Sequence, residues 1–399
     1  PSEDGYAYQF SELRSQMLRS DLRNNAQIVF APTILPPSLH TDVATAAVER
    51  MQARINNPIL LSGDGKIMKI EPEVIAEWVD IALRPEQKTV ELSLNKARIA
   101  ETIRPFATMV DSAPISTVAT LLNGLPAGIR EGVVGKSLQF NDLVDKVAAA
   151  SPATSTIEAS VLTIPPSEVK DRRYSKDNVG LQNLLTYWTQ TNRGEYSIDV
   201  RSLSGLSASL NPHRIYPSVG IFRAYLAHTV YGAISAGSLT EQSPTSAGVN
   251  VRQCLDLMIR ELDESCTNAL GTIVGWGVND SLLRAQGFES TTLTQGAGLT
   301  SANDTSDWMI KLLGREISST YQTNVLTDMM RGHTIRSGIP AGIDNAVVAN
   351  LAGDYGRLRH DMAIVYHPGG TYVLSVLSEG ARSAQLADLA REINKVMNQ

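Results

Sequence analysis

Cysteine is almost missing from this sequence: Cys254 and Cys266 are the only two in 399 residues. A dense disulfide scaffold is therefore excluded. No cysteine–histidine group has zinc spacing, and the six histidines are scattered, so each reads as structural rather than as a ligand. No metal and no cofactor are expected. No apolar run reaches the ~18 residues a membrane-spanning helix needs, so no span is expected in this chain. An excess of basic residues is lacking too. The formal net charge is -6, which excludes the electrostatic footprint of a nucleic-acid binder. At Pro1 there is neither a methionine nor a signal sequence. The expectation is a cleaved leader or an excised ectodomain, with any anchor removed.

What is present is an ordinary globular balance, 43% hydrophobic and 19% charged. The length suffices for two or three domains. The two cysteines lie twelve apart, one inside a predicted helix and one just beyond it. A disulfide and a pair of buried thiols both fit; a bridge would suit an oxidising, extracellular setting.

Along the chain, residues 1–25 form a polar tail in which Phe10 to Leu22 reads as a short amphipathic helix. Ala26 to Pro32 reads as a strand. Thr41 to Ala53 is helical. Pro58 to Ile70 gives two strands joined at Gly63-Asp64-Gly65, followed by a helix from Pro72 to Leu83. Thr89 to Leu94 alternates as a strand and Asn95 to Phe106 is a helix. Strand, glycine-bearing turn, strand and helix then recur over Ser116–Ala149, a weak internal repeat of Pro58–Leu83 in an α+β module. Pro165-Pro166 and Lys170-Asp171-Arg172-Arg173 read as a linker. Beyond it, helices are expected at Val179–Thr191, Val251–Leu262, Trp308–Leu313 and Ala384–Met397. Hairpins are expected at Glu195–Asn211 and Met362–Leu377.

The stretch from Tyr216-Pro217-Ser218-Val219-Gly220-Ile221-Phe222-Arg223 to Ile234 is apolar on nearly every face and predicts a helix buried on all sides, opening at Pro217-Ser218. It resembles the active-site helix of the class A β-lactamase and penicillin-binding-protein superfamily, which begins Tyr-Pro-Ala-Ala-Ser-x-x-Lys. Further segments follow in the same order. Cys254 to Ile259 matches the helix before the family's Ser-Asp-Asn loop. Gly275 to Asn279 and Gly287 to Leu293 match spacers. Arg336 to Gly342 and His360 to Gly370 flank the Lys-Thr/Ser-Gly strand. The resemblance implies, from about Val179 to Gln399, a five-stranded antiparallel sheet with helices on both faces and a helical lobe. A shorter segment, Gly132-Val133-Val134-Gly135-Lys136-Ser137-Leu138, resembles peptidoglycan-binding modules of wall-processing proteins; a generic α+β spacer is its other reading. The expected domains are a tail over 1–25, an α+β module over 26–170 and a β-lactamase-like domain over 171–399.

The family's chemistry needs a serine nucleophile, a lysine to help remove its proton, a second serine to pass protons, and a substrate-binding lysine. At the matching positions stand Gly220, Arg223, Leu262-Asp263-Glu264 and Leu351-Ala352-Gly353. Glycine has nothing to acylate, and a guanidinium stays protonated. A Glu-x-x-Leu-Asn between Leu293 and Thr300 is lacking as well. No catalytic residue is therefore expected. The fallback nucleophile is Ser218, which would have Ile221 in the lysine's place and otherwise reads as a helix-capping or turn serine. Ser93-x-x-Lys96 and Ser167-x-x-Lys170 match the motif without partners nearby. Arg223 requires a counter-charge, Asp263 or Glu264. The resemblance implies an extracellular protein on the wall side of a bacterial membrane, a pseudoenzyme that binds or scaffolds there, with peptidoglycan or a wall protein as partner. The alternative is an active serine hydrolase of β-lactamase or D-Ala-D-Ala peptidase type.

Overall fold

The computed structural model describes residues 2–19, 32–151, 153–295 and 298–399. Two compact units are present: 1–118 with 129–169, and 119–128 with 170–399. The strand expected at Ala26–Pro32 falls, apart from Pro32, outside the described residues.

The N-terminal unit is a small α+β assembly. The hairpin Ile59–Gly63 with Lys66–Ile70 turns at Asp64-Gly65, and Thr156–Glu158 adds in parallel to its first strand. Helices Lys96–Val110 and Phe140–Ala149 cover a core of Leu61, Trp78, Ile99, Ile103 and Phe106. Three expectations are corrected here. The helix opening at Pro72 ends at Ala76, and Val79–Arg84 is a strand paired with Thr89–Leu94. Val79, Ile81 and Leu83 alternate with polar or small residues, a period of two rather than 3.6. The supposed repeat is not carried: Thr117–Leu122 makes a hairpin with Leu125–Arg130, while Gly135–Leu138 pairs separately with Val161–Ile164. The expected linker Lys170–Arg173 does lie where the division into two units falls, but it is the end of a strand, Glu168–Arg173, rather than irregular chain.

The C-terminal unit opens with α1 (Asn178–Thr191), then strands β1 (Glu195–Ser202) and β2 (Ser207–Leu210). A two-residue strand β3 (Tyr216–Pro217) precedes helix α2 (Arg223–Ser235). Helices α3 (Val251–Arg260), α4 (Glu264–Val274) and α5 (Asp280–Ala285) lead to β4 (Leu299–Thr300). Then come α6 (Ala302–Gly314), α7 (Thr320–Arg331), strands β5 (Val347–Tyr355), β6 (Leu358–His367) and β7 (Gly370–Glu379), and α8 (Ser383–Met397).

The sheet order is β2-β1-β7-β6-β5, antiparallel throughout. Alternation along its strands builds two cores. Leu351, Met362, Ile364 and Val373 point into one with the helices from α2 to α7. Ala363, Val365, Tyr372 and Leu374 point into the other with α1 and α8. Helices thus cover both faces, because strands apolar on both sides need two layers. In α2, Arg223 through Tyr231 are all buried, so a helix without a polar face sits where such a helix belongs. Its start is later than expected: Pro217 is taken by pairing with Leu299, and the helix begins at Arg223. Among the described residues no helix is long and apolar enough to cross a membrane.

Candidate functional site

A cleft of about 790 Å³ opens where the turn before α2 meets β5, the edge strand of the sheet. Ser218, Gly220, Arg223, Leu262, Glu264 and Gly353 all line it, so most of the motif positions scattered in sequence converge. Leu351 does not; it is fully buried in the helix-side core. Asp263 is used elsewhere, as the N-cap of α4, accepting from the Cys266 N–H at 2.7 Å.

The turn is held tightly. Ser218 N–H donates to the Gly298 carbonyl at 2.8 Å, and Ile221 N–H to the Ser218 carbonyl at 3.0 Å. His360 is buried and accepts at Nδ1 from Ser378 N–H (3.2 Å), which leaves Nε2–H to donate to the Pro217 carbonyl at 2.8 Å. Burial lowers its pKa and keeps the ring neutral. Within this clamp Val219 adopts φ +46°, a left-handed conformation that a β-branched residue keeps only when its surroundings enforce it.

Gly220 then lies directly on β5. A Cβ placed on it would stand 2.8 Å from the Ala352 carbonyl oxygen and 2.9 Å from Gly353 Cα. A Cβ on Gly353 would stand 2.3 Å from the Gly220 nitrogen. The two glycines thus permit a backbone-to-backbone approach that no side chain survives. The facing Ala352 N–H is also engaged, donating to Nε2 of buried His333 at 3.1 Å, while His333 Nδ1–H donates to the Ile259 carbonyl at 2.7 Å.

One helical turn on, Arg223 is 3% exposed. Its guanidinium reaches Glu264 at 2.5 Å, Thr267 Oγ1 at 3.0 Å and the Leu262 carbonyl at 3.2 Å, and lies 4.9 Å from the Phe222 ring centre. Burial lowers its pKa while Glu264 opposes that shift. The group remains a cation, fully engaged and unable to accept a proton. The counter-charge is thus Glu264, not Asp263. Ser218 is buried and caps no helix; the N-cap of α2 is Phe222. Among the described residues Ser218 Oγ hydrogen-bonds to no histidine, lysine or carboxylate. Cys254 and Cys266 are joined in a disulfide between α3 and α4.

Phe222, Trp276 and Tyr355 form the aromatic side of the cleft; the first two lie inside segments that match the family but at positions its chemistry does not use, and Tyr355 lies in no matched segment, so no sequence signal marks the three as a site. The same holds for the two clamping histidines, whose partners are backbone atoms that sequence does not display. Among the described residues no group of three or more histidine, cysteine or carboxylate side chains could hold a metal ion.

A family model described as the β-lactamase enzyme family matches residues 181–398, more than half of the chain. Solved structures share the fold. The penicillin-binding protein PBP-A is 20% identical, with a TM-score of 0.51 over 54% of this chain and 94% of that one. A β-lactamase from Sphaerobacter thermophilus is 16% identical, with a TM-score of 0.50 over 55% and 97%. An ancestral Gram-negative class A β-lactamase is 18% identical, with a TM-score of 0.50 over 54% and 99%. At such identities the likeness speaks for fold alone. No curated protein matches the chain.

Proposed function

Because this chain belongs to the β-lactamase enzyme family, we propose that its C-terminal unit is a non-acylating member, one that uses the family cleft to bind rather than to cleave. The observation that carries this reading is the contact between Gly220 and Gly353. Acyl transfer needs an oxygen nucleophile, a base and room for the tetrahedral intermediate. Here the position that would present the nucleophile has no side chain and no space for one. The position of the base holds a buried cation already paired with Glu264.

The working place in this reading is the wall side of a bacterial membrane, with peptidoglycan or a wall protein as partner. The N-terminal unit enters as a wall-binding module only on the likeness of Gly132–Leu138. The rival, an active serine hydrolase, has one point in its favour: Ser218 lines the cleft. Against it, Ile221 occupies the place one turn on where a base would be needed.

Two assays on the full chain test the proposal. Sedimentation with purified peptidoglycan at low salt should carry the protein into the pellet, and its absence from the pellet would overturn wall binding. A fluorescent penicillin should leave no label after denaturation; a label that vanishes in Ser218→Ala would establish the rival.

A further inference from the structure

Among the described residues the cleft has no free cation. Of its lining groups only Arg223, Glu264 and Asp354 carry charge. Arg223 is consumed by Glu264, and Asp354 faces Arg359 across 3.7 Å. Glu264 itself is 76% exposed. An entering carboxylate or phosphate would meet carboxylates and give up its hydration without a charged partner in return. An extended peptide fares no better along the middle of β5. Ala352 N–H is bonded to His333 and its carbonyl abuts Gly220, so that stretch of edge is closed to an added strand.

What remains is uncharged. Phe222 and Trp276 form one wall, with ring centres 6.3 Å apart, and Tyr355 stands 78% exposed at the end of β5. Thr294 adds a hydroxyl, and the exposed amides of Asn268 and Gln295 bond each other at 3.3 Å. Amides and hydroxyls both donate and accept, as sugar hydroxyls and acetamido groups do. Aromatic faces are negative and take the C–H side of a pyranose ring. The volume lies within the range of small-molecule sites.

We propose that this cleft is a carbohydrate site that takes an uncharged, N-acetylated oligosaccharide and discriminates against peptide carboxylates. The inference rests on the reading of the cleft as non-acylating and names the ligand class for it. The test is calorimetric titration of the full chain with tetra-N-acetylchitotetraose and, separately, with D-alanyl-D-alanine. Saturable binding of the oligosaccharide is expected at millimolar concentration or below, with the dipeptide at least tenfold weaker. Trp276→Ala should weaken oligosaccharide binding at least tenfold. Asn268→Ala, on an exposed helix face, should weaken it about threefold and serves if Trp276→Ala does not fold. Dipeptide binding as tight as the oligosaccharide, or no saturable oligosaccharide binding, overturns the proposal. The same protein treated with fluorescent penicillin separates the two readings. A covalent label defeats both, whereas no label with no oligosaccharide binding defeats this one alone.

Discussion

Position 220 has room for a hydrogen atom and nothing larger. Putting serine there would not rebuild a nucleophile, because its Cβ must push Ala352 and Gly353, both backbone, out of contact. Overpacking of this kind costs about 1–3 kcal/mol. Gly220→Ser should therefore unfold at lower urea than the wild type; an unchanged midpoint would mean that β5 yields freely. Arg223 is the residue where sequence and structure meet most closely. Its need for a counter-charge is legible from a cation in an apolar helix, but the choice between adjacent carboxylates is not. Asp263 and Glu264 diverge at the start of α4: one turns inward to cap the helix and the other reaches across. Of the two structural roles open to Ser218, cap or turn residue, the structure keeps the turn: its carbonyl accepts from Ile221 N–H, and the pairing of Pro217 with Leu299 delays the helix past it.

At the scale of elements, the disulfide ties the first turn of α3 to the first turn of α4, the helix whose Glu264, Thr267 and Asn268 line the cleft. It closes a separation of twelve residues. Cross-links of that span are worth about 3 kcal/mol. Replacing both cysteines by serine should lower unfolding stability by that order. Two alkylation labels taken up by the unreduced protein would contradict the bridge. The sequence left the pairing open because spacing does not reveal that a new helix, α4, begins between the cysteines. Its residues lack a clean apolar stripe, since it is packed on more than one side. The hairpin turn at Asn123-Gly124, in the stretch 119–128 that groups with the C-terminal unit, has both residues at positive φ; this Asn-Gly pair is a strong local hairpin signal, and a turn placed at the downstream glycines misses it. Between Pro72 and Leu83 a good helix-start signal runs directly into residues with strand alternation, so the start is legible and the end at Ala76 is not.

For the whole molecule, the C-terminal fold was legible because several segments occur in the right order, and the near-continuous apolar runs Met362–Tyr366 and Tyr372–Leu377 match strands buried on both faces. The cleft was legible only in part: its motif positions could be placed, but its aromatic wall and its backbone clamps could not. The same two-sided burial has a pH consequence. Asp361, on β6 opposite Ala352 of β5, is buried and accepts from Asn350 Nδ2 at 3.0 Å and Ile339 N–H at 2.8 Å. Burial raises its pKa from 3.8 to about 7. Asp199 is raised to about 6 for the same reason. A carboxyl that is a weaker acid when folded takes up a proton on folding between its two pKa values. Its contribution is therefore full below about 4 and is lost as pH rises to about 7. Stability should decline across that interval, and Asp361→Asn should flatten the slope whatever its absolute stability. An identical slope in the variant would assign the decline to other groups.

The central claim is that this cleft has kept its frame and lost the capacity to form an acyl-enzyme. Intact-mass spectrometry of the full chain after prolonged incubation with penicillin G tests it most directly. We expect the mass of the untreated protein. A stoichiometric gain of one penicilloyl group, mapped to any side chain lining the cleft, would contradict the account.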